Sequence, residues 1–146
     1  MTHKKFSASW KSSTQPRKQR KYRFNAPLHH KQKLLHAHLS PVLRKKYVMR
    51  NIQIRKNDKV KILRGQFKGK EGKVEQVFLK KGHIHVTGAE IIKRDGGKVY
   101  THIDPSNVII LELELSDKIR KQKLESKTTQ PKTSGKAPAE KKEKQK

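Results

Sequence analysis

The first fifty residues of the chain contain fourteen Lys and Arg residues and not one Asp or Glu. Such a segment repels itself, so it cannot pack into a compact unit unless an anionic partner neutralises it. Over the whole chain, 38 Lys and Arg stand against 12 Asp and Glu, which gives a formal net charge of +26. This imbalance limits the fold more than any other feature, and it predicts a polyanionic partner.

Charge divides the chain into three zones. Residues 51–115 carry 13 basic and 8 acidic residues, and residues 116–146 carry 11 basic and 4 acidic residues. Only the middle zone combines nearly balanced charge with a high density of Ile, Val and Leu, so we expect it to hold the core. We therefore predict a basic N-terminal arm at 1–50, a small domain at 51–115, and a basic C-terminal helix with a disordered tail at 116–146.

The middle zone has the period-two pattern of short strands. Val60 and Ile62 alternate with basic residues, Ile84 and Val86 alternate with histidines, and residues 99–103 alternate in the same way. Turn sequences rich in Gly, Asp and Pro separate these runs. Four or five such strands predict a small barrel or sandwich that the apolar run 108–115 closes. We expect the interior to be filled by Val60, Ile62, Val74, Ile84, Val86, Val108 and Ile110.

The arms carry local helix signals. A capping residue shortly before a proline predicts helix starts at Thr14 and Ser40, and a last helix is expected from Ser116 or Asp117 through Lys127. Between the first two helix starts, three leucines at helical spacings predict a narrow apolar stripe: Leu28, Leu35 and Leu39.

A Gly- and Lys-rich turn lies within NDKVKILRGQFKGKEGKV at 57–74. Glycine permits positive φ and lets backbone N–H groups approach a phosphate, while the lysines add point charges. The segment can therefore grip a sugar-phosphate backbone, although a tight turn with solvated lysines explains the same residues. It is not an NTPase loop, because its glycine spacing is one residue short and Glu71 stands where a Mg-binding hydroxyl is needed.

These motifs resemble those of a known family. Residues 55–86 resemble the KOW motif, and the wider stretch resembles the large-subunit ribosomal proteins called L twenty-six in eukaryotes and L twenty-four in bacteria. The matching features are an Asp-x-Val strand at Asp58, a strand that ends at Gly65, Lys-Gly-Lys-x-Gly-x-Val at 68–74, and IDPSNVII at 103–110. Residues 16–40 are similar to the eukaryotic and archaeal branch. Asn57 replaces a glycine common in KOW domains, and we expect the turn to survive because Asn tolerates the left-handed region.

The resemblance implies a mainly β fold: a small SH3-like (KOW) barrel with a helical, extended N-terminal arm and a C-terminal helix plus tail. It implies a structural constituent of the large ribosomal subunit that binds the 5′ region of large-subunit rRNA and supports assembly near the peptide exit tunnel. The implied partners are large-subunit rRNA, neighbouring large-subunit ribosomal proteins and, as a further candidate, tunnel-exit factors. We expect a cytoplasmic, ribosome-bound protein, with nucleolar and nuclear passage if the source is eukaryotic, and neither a homo-oligomer nor a membrane protein.

The N-terminal arm interleaves its cations with aromatic residues. Cations neutralise phosphates and release counterions, and aromatic faces stack on splayed bases. An arm without acidic residues therefore favours RNA contact over a merely solvated state. The predicted rRNA-binding residues come from the arm and from the Gly- and Lys-rich turn. Those of the arm are Lys4, Lys5, Trp10, Lys11, Arg17, Lys18, Arg20, Lys21 and Arg23, and those in and beside the turn are Arg64, Gly65, Lys68, Gly69, Lys70, Gly72 and Lys73.

Eight histidines raise the question of a metal site. His83 and His85 lie on one face of a predicted strand, where their side chains can share an ion. The chain has no cysteine, and no Asp or Glu at ligand spacing completes a set. We therefore expect neither a metal nor a cofactor, and imidazoles that face solvent or RNA.

Two further function classes compete with a ribosomal role. A KOW-type RNA-binding module could act in transcription or RNA processing through RNA polymerase, or the chain could be an enzyme that acts on RNA. We expect no enzyme, because the sequence offers no nucleophile with a base, and carboxylates such as Glu112 fit a solvated sheet face. No apolar run approaches the roughly 20 residues of a membrane span, so a soluble, intracellular protein is expected.

Overall fold

The computed structural model describes residues 6–128, apart from the side chains at positions 10, 11, 127 and 128. The helices are Pro16–Asn25 (α1), Leu28–Leu34 (α2), Pro41–Tyr47 (α3) and Lys118–Thr128 (α4). The strands are His36–Leu39 (β1), Asn51–Gln53 (β2), Lys59–Ile62 (β3), Glu71–Phe78 (β4), His83–Val86 (β5), Glu90–Ile92 (β6), Lys98–Tyr100 (β7) and Val108–Glu112 (β8). Short 3-10 helices span Ala8–Ser12 and Pro105–Asn107.

Six strands form a mixed sheet in the order β2-β1-β8-β3-β4-β5, and β6 and β7 form a separate hairpin. The pairing of β1 with β8 is parallel, whereas the other pairs in the sheet are antiparallel. At the edge of the sheet, Ile84 of β5 forms a bridge with Ile103, which lies on the chain leading to β8. Because β8 is central, this bridge curls the sheet toward closure. The mainly β, barrel-like fold is confirmed.

The core is built from alternate residues of the strands. All seven residues that the period-two pattern assigns to the interior are buried, since one face of each strand packs inward. They join residues that the pattern does not single out, among them Leu39, Tyr47, Ile52 and Ile54. Val99, in the alternating run 99–103, is exposed instead, because β7 belongs to the outlying hairpin.

Residues 36–39 contribute strand β1 to the sheet, although they fall in the predicted arm. β1 pairs with β8 through His38 opposite Ile109 and Leu39 opposite Ile110. The helical stripe expected from Leu28 to Leu39 is therefore wrong beyond Leu34: Leu28 is exposed on α2, whereas Leu35 and Leu39 are buried. Four residues are too few for alternation to separate a strand from a helix.

Two of the predicted helix starts are confirmed, and so is the left-handed turn expected at Asn57. The side chain of Ser40 accepts a hydrogen bond from the Leu43 N–H at 3.4 Å, as expected of an N-cap. Asp117 precedes α4 and accepts a hydrogen bond from the Ile119 N–H at 3.0 Å. At α1, Thr14 is not the cap, because Gln15 precedes the helix without a side-chain hydrogen bond. Asn57 adopts φ of 71° and so preserves the left-handed turn.

None of the helices between residues 6 and 128 has both the length and the apolar character to cross a membrane. The positions Lys4 and Lys5, the side chains of Trp10 and Lys11, and the tail after residue 128 lie outside the described residues, so the predictions about them stay predictions.

A buried ion pair joins Asp58, ahead of β3, to Arg120 in α4. The Asp58 side chain is 0% exposed and that of Arg120 is 4% exposed. The guanidinium donates two parallel hydrogen bonds to the carboxylate at 2.6 and 2.7 Å. The carboxylate also accepts from the N–H groups of Arg55 and Glu114, and Arg120 donates to the carbonyls of Glu114 and Gln53. This network fastens α4, β2 and the segment after β8 to the start of β3.

Arg120→Met should lower the free energy of unfolding by about 3–5 kcal/mol, because it leaves the Asp58 carboxylate buried without its counter-charge. The matched variant Arg55→Met breaks an ion pair with Asp117 in which the arginine side chain is 49% exposed. It should cost less than about 1 kcal/mol. Urea unfolding followed by far-UV circular dichroism measures both values, and equal losses would contradict the role given to the buried pair.

Candidate nucleic-acid interface

The turn between β3 and β4, residues 63–70, is shaped by two glycines, and we call it the glycine turn. Gly65 and Gly69 have φ of 95° and 87°, values that residues with a Cβ rarely adopt. The N–H groups of Lys68, Gly69 and Lys70 donate to carbonyl oxygens in or beside the turn at 2.8–3.1 Å. These three N–H groups are therefore used internally and do not form the backbone cradle for phosphate that the sequence suggests. The groups of the turn best placed for phosphate are therefore its exposed basic side chains.

The basic side chains of the glycine turn and of the start of β4 are exposed to solvent. Within the described residues none of them forms an ion pair, and Lys70 also lies over the ring of Phe67, with Nζ 5.1 Å from the ring centre. The four basic residues of the predicted contact set that are exposed around the turn and along β4 are Arg64, Lys68, Lys70 and Lys73.

Two lysines of β3 are neutralised inside the domain. Lys59 Nζ lies 3.0 Å from the Glu112 carboxylate, and Lys61 Nζ lies 3.3 Å from that of Glu71. The hydrogen bond with Glu112 raises the pKa of Lys59, so its charge is held and balanced there. The acidic residues of the sheet thus neutralise β3 and leave the positive charge of the turn uncompensated.

Gly72 has a packing role that differs from the predicted contact with RNA. It lies on β4 opposite Val60. A Cβ at this position would overlap the carbonyl oxygen of Thr87 and would lie 2.9 Å from Val86 Cγ1. The chain after β5 therefore approaches the backbone of β4 so closely that only glycine fits.

Helix α1 presents its cations to solvent. It has no buried residue, since its sequence PRKQRKYRFN has no apolar stripe that could pack on the domain. Its five predicted contact residues are all exposed: Arg17, Lys18, Arg20, Lys21 and Arg23.

The aromatic residues of the arm divide into two groups. The ring of Tyr22 packs against Phe6 with centroids 4.9 Å apart, and Phe6 also contacts the ring of His30 at 5.2 Å. These rings hold the segment before α1 against the start of α2. Phe24, in contrast, is 83% exposed. Among the aromatic side chains of the arm that the structure describes, it is the one best placed to stack on a base.

A cleft of about 320 Å³ lies between the arm and the barrel. Its lining includes Arg23 of α1, Lys31 of α2, and Lys80 and Lys81 of the β4–β5 turn. Asp104 is the single carboxylate among the described residues that line it. We call it the basic cleft. Four cations against one carboxylate focus a positive field on the cleft, which suits a phosphate group.

A second cleft, of about 160 Å³, connects this surface to the glycine turn. Arg64 and Gly65 line it together with His102 and Asp104. Because Asp104 lines both clefts, the two are neighbours on the domain. Arg23 in the arm and Arg64 in the turn, which the sequence predicts separately, therefore line two clefts that share Asp104.

Three cations of the basic cleft are missing from the sequence-based set. Lys80 and Lys81 precede Gly82 and indicate only a turn in the sequence, although the doublet resembles the Lys68-Gly69-Lys70 signal. Lys31 cannot be identified as a contact residue from the sequence, because nothing in the pattern distinguishes it from the other lysines of the arm. Only the packing of α1 and α2 beside the β4–β5 turn brings these residues together.

Comparison with known proteins agrees with these features. Residues 13–127 match the family model of ribosomal proteins described as L twenty-six in eukaryotes and L twenty-four in archaea. "Large ribosomal subunit protein uL24" of Methanospirillum hungatei is 51% identical over 112 residues, which cover 77% of this chain and 93% of that protein. The protein of the same name from Methanothrix thermoacetophila is 51% identical over 110 residues, or 75% of this chain and 95% of that protein. That from Methanosphaera stadtmanae is 46% identical over 115 residues, or 79% and 98%.

Gly72→Ala should lower the free energy of unfolding by about 1–3 kcal/mol, because the added methyl group meets backbone that cannot move aside easily. Gly97→Ala is the matched control, since a Cβ at Gly97 meets nothing within 4 Å. That variant should change stability by less than about 1 kcal/mol. Thermal unfolding compares the two, and an unchanged Tm for Gly72→Ala would refute the close approach to Thr87.

Proposed function

This chain belongs to the family of eukaryotic and archaeal ribosomal proteins that it matches over residues 13–127, and on that premise we propose that it binds large-subunit rRNA through the basic cleft and the glycine turn. The family is structural and not enzymatic, and the relatives' names assign them to the large subunit. The chain is accordingly a structural component of the large ribosomal subunit.

The basic cleft is the observation that carries the proposal. Two helices of the arm and one turn of the barrel supply its four cations, so a phosphate in the cleft contacts both parts of the chain at once. Binding there neutralises charges that otherwise repel one another across the cleft. The arm and the barrel are thereby held together most strongly when RNA is present.

The glycine turn and α1 extend this surface. Arg64, Lys68 and Lys70 offer charges on the barrel side, and the exposed cations of α1 do so on the arm side. Phe24 adds a face on which an unpaired base can stack. Lys4, Lys5, Trp10 and Lys11 extend the proposed contact set toward the N-terminus.

Within the subunit, we assign the contacts to the 5′ region of the rRNA, where binding supports assembly near the peptide exit tunnel. Neighbouring ribosomal proteins are further partners. Tunnel-exit factors are the candidates to bind the surface that faces away from the rRNA. The support for this placement is the family resemblance in the KOW segment and in IDPSNVII at 103–110. A transcription module rests on the KOW segment alone, whereas the family match extends through the arm and α4.

The double variant Lys80→Gln and Lys81→Gln should bind a transcript of the rRNA 5′ region about tenfold more weakly at physiological salt, because two phosphate contacts are lost. The slope of log K against log salt should fall by about 1.4–1.8. Filter binding over a salt series measures both quantities.

Lys93→Gln with Lys98→Gln is the control, since this pair removes equal charge from the β6–β7 hairpin, outside the cleft lining. Equal weakening by the control would mean that only net charge matters, and would contradict the assigned surface. The double variant Lys68→Gln and Lys70→Gln tests the glycine turn. If this variant binds the transcript as tightly as the wild type does, the interface is confined to the cleft and the arm.

A photoreactive phenylalanine analogue in place of Phe24 should crosslink to rRNA in intact large subunits, because an exposed ring in this arm is expected to stack on a base. The joined nucleotides should map to the 5′ region. The control carries the analogue in place of Val42, which is also exposed but lies on α3. Crosslinks that map to another rRNA region would refute the proposed placement, and crosslinks to protein alone would refute the stacking role.

A further inference from the structure

Three histidines meet on the surface beside the second cleft. His83 and His85 lie on the same face of β5, and His102 lies on the neighbouring chain segment. The bridge between Ile84 and Ile103 places His102 directly opposite His85. One ring nitrogen from each of the three histidines lies within 4.8 Å of the other two.

The ring nitrogens of this cluster are not satisfied by ordinary hydrogen bonds. His85 Nε2 and His102 Nδ1 are 2.9 Å apart, so these two imidazoles share one proton between them. The Nε2 atom of His83 and the Nδ1 atom of His85 are buried without a hydrogen-bond partner. Buried polar atoms normally have partners, and unsatisfied ones call for an explanation such as an ion.

The surroundings fix the rings and leave one side open. The ring of Phe78 contacts His83 and His85 at centroid distances of 4.9 and 4.7 Å, and Tyr100 stacks on His85 at 5.4 Å. His102 is exposed to solvent. The cluster therefore has a packed aromatic wall on one side and access for water on the other.

We propose that His83, His85 and His102 form a binding site for a divalent transition-metal ion of the zinc class. Imidazole nitrogen is a preferred ligand of zinc, and three histidines with water in the fourth position form a standard tetrahedral set. Bond lengths of about 2.0–2.1 Å require nitrogens about 3.3 Å apart, which small rotations of the rings provide.

The charges around the cluster are compatible with such an ion. Burial, together with the nearby His102, lowers the pKa of His83 and His85, so both rings favour the neutral form that binds metals. Asp104 acts on His83 with a negative charge, and Lys81 acts with a positive one. The carboxylate of Asp104 thus offsets part of the charge that an ion would bring.

The site would join the edge of the sheet to the segment that closes it. β5 is the last strand of the six, and its contact with residues 102 and 103 is a single bridge rather than a strand pairing. An ion held by His85 and His102 would tie the two segments together from their side chains. Metal binding would therefore stabilise barrel closure, a role independent of the proposed rRNA contacts.

Titration of zinc into the full-length, metal-free and RNA-free chain tests the site. Isothermal titration calorimetry should give one ion per chain, and a saturating excess of zinc should raise the Tm by several degrees. Cobalt should give the intense visible absorption of a tetrahedral complex. His102→Gln should weaken zinc binding at least tenfold and abolish the rise in Tm, without loss of the fold, because this side chain is exposed.

The matched control is His29→Gln with His30→Gln, which removes two adjacent histidines of α2 whose ring centroids are 4.5 Å apart. This variant should bind zinc like the wild type. The proposal is overturned if no stoichiometric binding is found, if His102→Gln binds as well as the wild type, or if the control loses the site instead. Since RNA is absent from the measurement, such a result leaves the proposed rRNA interface untouched.

Discussion

The buried pair of Asp58 and Arg120 is the interaction on which the rest of the structure depends. Removing two charges from water is costly. The cost is offset here by a bidentate contact, by backbone N–H groups that donate to Asp58, and by backbone carbonyls that accept from Arg120. Because those backbone groups belong to the segments before β3 and after β8, the pair sets where α4 docks. In a chain of such positive charge, one fully enclosed carboxylate thus determines how the C-terminal helix joins the domain.

Three other carboxylates pair with basic side chains at the surface. Glu71 and Glu112 neutralise the lysines of β3, and Asp117 neutralises Arg55. These exposed pairs each contribute little to stability. Their larger effect is on where charge is concentrated: they cancel positive charge on β3, in the middle of the sheet, and at Arg55, and leave it on the cleft, the glycine turn and α1. The electrostatic design of the surface therefore follows from where the few acidic residues stand.

The sequence predicts those features that depend on local pattern. Alternation identifies the seven interior residues because each strand has one buried face, and the proline after Ser40 marks a helix start because proline fits the first turn. It does not predict β1, whose four residues carry too little pattern, or Arg120, which looks like any other cation of α4. The sequence also does not predict the basic cleft or the approach of His102 to the pair His83 and His85, because each joins segments that are far apart in the chain. Gly65 and Gly69 are recognised, but their turn uses its N–H groups internally, which only the folded structure reveals.

The parallel pairing of β1 with β8 has a consequence for the order in which the domain forms. β1 cannot pair until β8 has been synthesised, since His38 lies opposite Ile109. Asp58 likewise lacks its partner until Arg120 of α4 has been synthesised. During synthesis, β1 emerges with its hydrogen-bonding edge unpaired and attached to a strongly cationic segment. Contacts of such long sequence separation slow folding and prolong that exposed stage. The nascent chain therefore exposes an unpaired strand edge beside a cationic segment until α4, the last helix of the described residues, has docked.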